Sequence, residues 1–392
     1  MTRGRVERFA LVAGGGTAGH VVPALAVAEA LVNRRGPGAV ELVGARRGLE
    51  ATMTGLEGLP VTLLGGRGIS RRTDPASLLA NAGAVAGLAG AALAALGIVA
   101  RRRPAVVVSV GGYASVPTAL AAVALGVPVV VCNVDAVPGL ANRLVGRVAR
   151  AAAVAYPETA LPRARCTGAP VRAEVAALAG TGPSGPRSEV REALGVPANR
   201  VMVAVVGGSL GARRVNEAVL ALAAAWSGRD DVALYHVVGR RDAPWAADQA
   251  AALHVAGLTG GPGSLWYRQV AFEERMDLVY QAADVVVGRA GAMTVAELAV
   301  VGLPAVLVPL PGAPGDHQGA NAAVLEAAGA AVVVPDDECD AAHLAACLDP
   351  LVADPARRRS MARSAGRLGR PDAADAVVSL AEAHARPGRW PR

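Results

Sequence analysis

The residue best suited to chemistry early in the chain is His20, the last residue of a glycine-rich turn. The turn, GGGTAGH from Gly14 to His20, follows an apolar run and precedes an Ala-rich helical segment. Imidazole titrates near neutral pH, so a histidine at a helix start can act as a base or a hydrogen-bond donor. The same turn contains G-x-G-x-x-G, which is typical of dinucleotide sites. A helix-start histidine with no chemical role is the alternative.

The residues around this turn argue against a simple dinucleotide site. NAD-binding proteins carry an acidic residue after their second strand, whereas the second predicted strand here, VELVG, is followed by Ala45, Arg46 and Arg47. An arginine there still suits NADP, so an NADP-dependent oxidoreductase stays open. However, an imidazole would crowd a pyrophosphate at the helix start, and the turn lacks the G-K-[ST] of a P-loop.

A second small-residue turn, within Val286–Pro311, has the features of a phosphate site. Arg289 ends a predicted strand, and Thr294 lies in the first turn of the helix that follows. Free N–H groups at a helix start bind anions. We place Glu297 in that same first turn, where its carboxylate either caps the helix or binds both hydroxyls of a ribose.

Amide side chains follow this unit in GDHQGANAA. Asp316, Gln318 and Asn321 precede or begin another predicted helix. Amide groups both donate and accept hydrogen bonds, so this spacing suits several hydroxyls of one sugar. An ordinary N-cap role for Asp316 is the alternative. An acidic cluster further on, PDDECD, has no histidine beside it, and we interpret it as a solvated loop rather than a metal site.

Two further glycine turns complete the set. VGGSLGARR places Ser209 at a helix start, which is another turn able to bind phosphate. SVGGYASVP, Ser109–Pro117, is a Gly-Gly turn at the end of a predicted strand. In doubly wound folds such strand ends line the ligand crevice.

These turns need a scaffold of short strands and Ala-rich helices, and the sequence supplies one. Near-continuous apolar runs such as FALVAGG, PAVVVSVGG and VMVAVVGG are typical of parallel strands covered on both faces. The unit near residue 11 is repeated near residue 204, which predicts an α/β fold of two Rossmann-like, doubly wound domains facing across a cleft. Ala179–Val190, rich in Gly, Pro and Ser, is the best linker candidate.

Composition narrows the class of protein. A chain of 392 residues with 53% hydrophobic and 18% charged residues is not disordered. The net charge of +7 comes entirely from arginine, since the chain has no lysine. It suits an anionic substrate or a membrane surface, but basic and aromatic residues are not interleaved, so we expect no nucleic-acid partner. Because the four cysteines are scattered along the chain, we expect reduced thiols. Because glycines interrupt the N-terminal apolar run, we expect no signal peptide.

One segment bears on membrane contact. Ala76–Ala100 runs 25 residues without a charge and is flanked by arginines. Its Ala and Gly content disfavours a true span, because insertion rewards Leu, Ile, Phe and Val. A helix packed on its domain and a helix that also contacts an anionic bilayer both stay open.

Taken together, the segments resemble the MurG family, the UDP-N-acetylglucosamine transferases of peptidoglycan assembly. GGGTAGHVVPALAVAEAL, VGGYASVP and VGGSLGARRVNE are similar to the family's three glycine loops. GRAGAMTVAELAVVGLPAVLVP followed by DHQGANA is similar to its donor-sugar signature. DAVPGLANR and GAPVR also fall where the family has motifs, and the resemblance spans about residues 9 to 335.

The resemblance implies a GT-B fold and an inverting, metal-independent hexosyltransferase without a cofactor. Its substrates would be UDP-N-acetylglucosamine and lipid I, an undecaprenyl-linked acceptor glycosylated at its C4 hydroxyl to form lipid II. The enzyme would act peripherally at the cytoplasmic face of the cell membrane, in contact with anionic lipid. The N-terminal acceptor domain would span 1–172, a linker region 173–199 and the donor domain 200–370. A helix at about 371–388 would return to the first domain.

The family's functional residues carry over by position. His20 and Asp135 are the candidates for the catalytic base. Acceptor contacts would come from Gly16, His20, Gly112 and Tyr113. Donor contacts would come from Thr17, Ala18, Gly19, Asp135, Arg172, Ser209, Phe272, Glu273, Arg289, Ala292, Met293, Thr294, Glu297, Gln318 and Asn321. Within that set, Arg172, Ser209 and the helix start would hold the diphosphate. Glu297 would bind the ribose, Phe272 and Glu273 the uracil, and Gln318 and Asn321 the sugar.

Three departures from the family pattern affect the expected activity. Cys132–Asp135 reads CNVD where the family usually has His-Glu-Gln-Asn, GAPVR replaces GNPVR, and Leu210 replaces a glutamine. Two alternatives follow. One is a paralogue that binds the nucleotide sugar without transferring it, and the other is a related GT-B enzyme with a different lipid-linked or small acceptor.

Overall fold

A parallel β-sheet covered by helices forms the core of each of the two units into which the chain divides. Unit 1 comprises residues 1–172 and 372–392, and unit 2 comprises residues 173–371. The computed structural model describes residues 8–387 except 17, 47–57, 66–74, 113, 182–186 and 209–210. The α/β fold with two Rossmann-like sheets, predicted from the repeated strand–turn–helix unit, is confirmed.

Unit 1 contains a seven-stranded sheet of order β3-β2-β1-β4-β5-β6-β7. Its strands are β1 Ala10–Gly14, β2 Val40–Ala45, β3 Val61–Leu64, β4 Val106–Gly111, β5 Val129–Asn133, β6 Ala151–Val154 and β7 Ala164–Cys166. Its helices are α1 Ala18–Arg35, α2 Pro75–Arg102, α3 Ser115–Ala124, α4 Leu140–Val148 and, near the end of the chain, α14 Ala373–His384. Since β1 pairs with both β2 and β4, the strand order reverses there, and such a switch point is where doubly wound sheets bind ligands.

Alternating side chains of the central strands build the core of unit 1. Leu11 and Ala13 of β1 share one buried cluster with Ala95 of α2 and Val145 of α4. Each fully buried Leu or Val side chain contributes about 1.5–3 kcal/mol relative to exposure. This burial explains why the strands contain near-continuous β-branched and aliphatic residues.

Helix α14 completes unit 1 by packing on α1 and on strands β4, β5 and β6. Arg34 of α1 pairs with Asp375 at 2.8 Å and with Glu382 at 3.0 Å, and Arg35 pairs with Glu382 at 2.6 Å. These pairs are partly exposed, so each contributes little, about 0–1 kcal/mol. The burial of Val377 and its apolar neighbours on α14 supplies the larger share.

Helix α2 corresponds to the long uncharged segment. Its later turns bury Ile98 and Val99 in unit 1, whereas Leu93 is 71% exposed. Within the described residues, no helix is long and apolar enough to span a bilayer.

Unit 2 contains a six-stranded sheet of order β10-β9-β8-β11-β12-β13. Its strands are β8 Val201–Val206, β9 Val232–Val237, β10 Trp266–Val270, β11 Val285–Gly288, β12 Ala305–Leu307 and β13 Ala331–Val333. Its helices are α5 Ala173–Ala176, α6 Ser188–Ala193, α7 Arg213–Ala225, α8 Ala243–Ala252, α9 Met276–Ala282, α10 Ala292–Val301, α11 His317–Ala327, α12 Ala341–Ala353 and α13 Pro355–Leu368. The order again reverses where β8 pairs with both β9 and β11.

A buried ion cluster attaches α6 to this sheet. Asp284, which precedes β11, accepts from Arg187 at 2.5 Å and from Arg191 at 2.6 Å. The backbone N–H of Met202 in β8 donates to the same carboxylate at 2.8 Å. Asp284 is 8% exposed and Arg191 6%, so the carboxylate compensates the charge of the arginines in a site that water barely reaches.

Candidate functional site

His20 lies at the switch point of unit 1, on the third residue of α1. A Cβ built on Gly111, the last residue of β4, would lie 3.2 Å from Cε1 of the imidazole. A Cβ built on Gly112 would lie 3.1 Å from Cδ2 and only 1.9 Å from the carbonyl oxygen of Gly15. Both glycines have positive φ, 110° and 80°. The Gly-Gly turn after β4 therefore leaves room for the imidazole beside the first glycine loop.

The loop after β5 brings a polar chain to the same edge of the sheet. Asn133 donates through Nδ2 to the carbonyl oxygen of Asp135 at 2.6 Å. Asn142, near the start of α4, donates through Nδ2 to Oδ1 of Asn133 at 2.9 Å. Tyr156 follows β6, and its pKa is raised by burial and by the neighbouring Asp135 carboxylate. Asn133, Asn142 and Tyr156 were not among the predicted site residues, although the first two lie in quoted motifs.

The other predicted residues of unit 1 take simple positions. Gly16 is an exposed residue of the first turn with φ 101°, while Ala18 and Gly19 begin α1. Arg172 is partly exposed and ends the first segment of unit 1. The remaining predicted residues, Thr17, Tyr113 and Ser209, lie outside the described residues, as does Leu210.

The start of α10 provides the phosphate-type site of unit 2. Gly291 is its N-cap with extended backbone, and Ala292, Met293 and Thr294 form the first turn. No acidic residue lies in that first turn. The first N–H groups of a helix have no intrahelical acceptor and carry the positive end of the helix dipole, so this turn can hold an anion.

Glu297 is not in that first turn, contrary to our expectation. It is the sixth residue of α10, so the capping alternative is wrong because its carboxylate is a full turn beyond the free N–H groups. Glu297 is 5% exposed, and Tyr280 of α9 donates to its Oε2 at 2.9 Å. The hydroxyl of Tyr280 thereby holds the carboxylate in place.

The guanidinium of Arg289 is already paired within unit 2. Its Nη1 lies 2.5 Å from Oδ1 of Asp336 and 3.1 Å from the carbonyl oxygen of Val308. Asp336 belongs to the acidic cluster after β13, so that part of the cluster is an ion-pair partner rather than only a solvated loop. These contacts connect the loops that follow β11, β12 and β13. Within the described residues, no group of three or more His, Cys, Asp or Glu side chains has the arrangement of a metal site.

The predicted sugar-binding amides lie around the start of α11. Gln318 accepts through Oε1 from the backbone N–H of Leu310 at 3.0 Å. Asn321 is fully buried, and its Nδ2 donates to the carbonyl oxygen of Ala290 at 3.2 Å, which ties α11 to the turn before α10. Asp316 takes the N-cap position of α11, as the N-cap alternative expects, but it has φ 49° and makes no side-chain capping bond.

Phe272 and Glu273 follow β10. Phe272 is 38% exposed, with the Arg240 guanidinium 3.9 Å from its ring centre. Glu273 accepts from the hydroxyl of Tyr235 at 2.7 Å and from the backbone N–H of Arg275 at 2.9 Å. An exposed aromatic ring on a fixed loop offers a flat surface to a heterocycle.

A buried network joins helix α7 to strands β9 and β10 of unit 2. Asn216 of α7 donates to the carbonyl oxygen of Val238 at 2.9 Å and to Asp242 at 3.2 Å, so its Oδ1 is left to accept from Nε2 of His236 at 3.0 Å. Nδ1 of His236 then accepts from the hydroxyl of Tyr267 at 3.0 Å. Burial lowers the pKa of His236 to about 3, so this imidazole is neutral.

Comparison with known proteins agrees with these features. Residues 10–154 match the glycosyltransferase family 28 N-terminal domain, and residues 202–377 match its C-terminal domain. A UDP-N-acetylglucosamine--N-acetylmuramyl-(pentapeptide) pyrophosphoryl-undecaprenol N-acetylglucosamine transferase of Streptomyces coelicolor is 38% identical over 370 residues, covering 94% of this chain and 96% of that protein. The protein of the same name from Acidothermus cellulolyticus is 39% identical over 376 residues, covering 95% and 96%.

One solved structure gives the same assignment, and another shows the fold. The crystal structure of MurG from Acinetobacter baumannii aligns with a TM-score of 0.70 and 27% identity, covering 96% of this chain and 99% of that one. A UDP-GlcNAc 2-epimerase from Neisseria meningitidis, bound to UDP-GlcNAc, aligns with a TM-score of 0.62 at 12% identity, covering 94% and 98%, and shows the shared fold alone. With both family 28 domains and relatives similar over nearly their whole length, this chain belongs to the MurG family of N-acetylglucosamine transferases.

Proposed function

We propose that this protein transfers N-acetylglucosamine from UDP-N-acetylglucosamine to the C4 hydroxyl of lipid I, with inversion and without a metal or other cofactor. The observation that carries the proposal is His20 at the unit 1 switch point, in a chain 38% identical to a named transferase over 94% of its length. In this proposal unit 1 binds the acceptor and unit 2 the donor.

The donor side of the reaction would be handled by unit 2. The N–H groups at the start of α10, with Ser209, would stabilise the negative charge that collects on the departing UDP. Glu297, held by Tyr280, would accept hydrogen bonds from the ribose. Phe272 would stack on the uracil beside Glu273. Gln318 and Asn321 would lie on the sugar side, while the contacts of Arg289 favour a supporting role for that residue.

The acceptor side would use His20 as the base. As the C4 oxygen forms its bond to the anomeric carbon, the hydroxyl proton passes to the imidazole. The bond from that carbon to the UDP oxygen breaks, and its electron pair leaves with UDP. Attack from the face opposite the leaving group accounts for inversion. Asp135, which stands where the family has an asparagine, is the second candidate for the base.

A transfer assay tests the proposal. Purified protein with UDP-N-acetylglucosamine and a lipid I analogue should release UDP without added metal, and His20→Ala should lower the rate on the order of 10²–10⁴-fold. A comparable loss in Asp135→Ala, with His20→Ala near wild type, would move the base to Asp135. Binding of the UDP-sugar without turnover would instead favour a non-catalytic paralogue. If NADPH binds, as monitored by its fluorescence, the NADP-dependent oxidoreductase hypothesis would be favoured.

We also propose that unit 1 contacts the membrane peripherally, at its cytoplasmic face. Most of the exposed large apolar residues of the described chain lie on α2, α3 and α4 or directly after α3, namely Leu93, Leu120, Val123, Leu125, Leu140, Leu144 and Val148. These three helices pack on one another in sequence, α2 on α3 and α3 on α4. Exposed Arg143 and Arg147 accompany the apolar residues on α4. Apolar side chains beside arginines suit an anionic bilayer surface.

Vesicle sedimentation tests this second proposal. The protein should bind phosphatidylglycerol-containing vesicles more strongly than phosphatidylcholine vesicles. Leu140→Ser with Leu144→Ser should weaken that binding, whereas Leu253→Ser, at an exposed apolar position of unit 2, should not. Equal binding by all variants would refute the assignment to α4.

A further inference from the structure

We infer that Asn142 is a positioning residue that fixes the tautomer of His20, with Asn133 setting the orientation of the Asn142 amide. The inference rests on the proposed function, because it assigns the nitrogen through which His20 acts as base. It uses residues in which this chain departs from the family pattern, since Asn133 belongs to CNVD.

The direction of each hydrogen bond follows from Asn133. Its side chain lies 2.6 Å from the carbonyl oxygen of Asp135, and a carbonyl only accepts, so the group facing it is the NH₂. The Oδ1 of Asn133 therefore faces Asn142, at 2.9 Å, and Asn142 must present its own NH₂ to it. Asn133 is 1% exposed and Asn142 5%, so water does not compete for these atoms.

The oxygen of Asn142 is thereby turned toward His20. It is buried and accepts no hydrogen bond from any described residue. A Cβ built on Gly111 would lie 3.3 Å from this Oδ1 and 3.3 Å from Nδ1 of His20. The two atoms thus face the same small space, which stays open only because residue 111 is a glycine. A buried amide oxygen there requires a donor, and in this inference the donor is the Nδ1–H of His20, across the space that Gly111 leaves open.

A protonated Nδ1 leaves the lone pair on Nε2. In neutral imidazole only one ring nitrogen carries the proton, and the partner of that nitrogen decides which one it is. Nε2 is then the atom that takes the proton from the C4 hydroxyl of the acceptor substrate. Asn133, Asn142 and both glycines of the turn are uncharged. Asp135 and Tyr156 are the titratable groups that the β5 and β6 loops bring to this edge of the sheet.

The test uses ¹⁵N-histidine-labelled full-length protein, so that the tautomer is read without substrate. Of the six histidines, the His20 signals are assigned by their loss in His20→Gln. We expect the Nδ1–H form in wild type and a mixture of tautomers in Asn142→Ala. In Asn142→Asp, a carboxylate beside Nδ1 should raise the pKa of His20 by about one to three pH units. The control is Asn33→Asp, at an exposed position on α1, the helix that carries His20. This variant should leave the His20 spectrum unchanged.

Kinetics give the second readout. Asn142→Ala should lower kcat about tenfold, the equivalent of one hydrogen bond, with the KM for UDP-N-acetylglucosamine unchanged. Asn142→Asp should move the acidic limb of the pH profile to higher pH, because the unprotonated base is needed. A wild-type His20 in the Nε2–H form, or an unshifted titration in a folded Asn142→Asp, would overturn the inference. If the histidine spectra are as expected but the protein shows no transfer activity, the result would count against the proposed function and not against the role of Asn142.

Discussion

Acidification should destabilise unit 2 through His236. Burial lowers the pKa of this histidine from 6.5 to about 3, and its two ring nitrogens are committed to Asn216 and Tyr267. The unfolded chain takes up a proton below about pH 6.5, whereas the folded chain does not until about pH 3. The stabilisation is therefore complete above pH 6.5 and is lost as the pH falls.

The size of the effect follows from these two pKa values. Between pH 7 and pH 5 His236 becomes protonated in the unfolded state but not in the folded state. This difference should lower the free energy of unfolding by about 2 kcal/mol. Urea unfolding followed by tryptophan fluorescence should show this loss in the wild type. Three of the four tryptophans, Trp226, Trp245 and Trp266, lie in unit 2, so the signal reports mainly that unit.

Substitution isolates the contribution of His236. His236→Gln removes the titration, so its free energy of unfolding should fall about 2 kcal/mol less than that of the wild type over the same pH interval. The control is His254→Asn at an exposed position with φ 54°, which asparagine tolerates. That variant should keep the wild-type pH dependence. Equal pH dependence in His236→Gln and the wild type would refute the reasoning.

Four other substitutions test the fold and the donor site. Gly112→Ala places a Cβ 1.9 Å from the carbonyl oxygen of Gly15 at φ 80°, so we expect a lowered melting temperature and lost turnover; wild-type values for both would contradict this. Asp284→Ala leaves two arginines beside a buried site and should lower the free energy of unfolding by about 3–5 kcal/mol in urea titrations. Glu297→Gln should weaken UDP binding by calorimetry about tenfold or more, because charge-assisted bonds are lost. Tyr280→Phe should weaken it less, and the reverse order would show that Tyr280 itself is the ligand.

The central strands and the glycine turns could be predicted from the sequence because their signals are local. β1, β4, β8 and β11 are apolar runs that end at glycine-rich turns, and both sheets are built around them. The outer strands β3, β6, β7 and β10 were missed. They are only three to five residues long, and they owe their conformation to the neighbouring strand more than to their own pattern.

Within the site, the limits of prediction were mostly geometric. Glu297 was assigned one turn too early because the start of a helix is uncertain by one or two residues. The pairing of Asn133 with Asn142 joins a strand end to a helix start nine residues later. The network around His236 joins α7 to strands β9 and β10. Such contacts depend on which elements become neighbours, which no single segment encodes.

The return of α14 to unit 1 has a consequence for synthesis. Residues 173–371 must leave the ribosome before the segment that covers part of β4, β5 and β6 becomes available. Unit 2 is contiguous and can fold while it emerges, whereas unit 1 carries an uncovered apolar strip until the end. The half of the protein that is made first is therefore the half that is finished last.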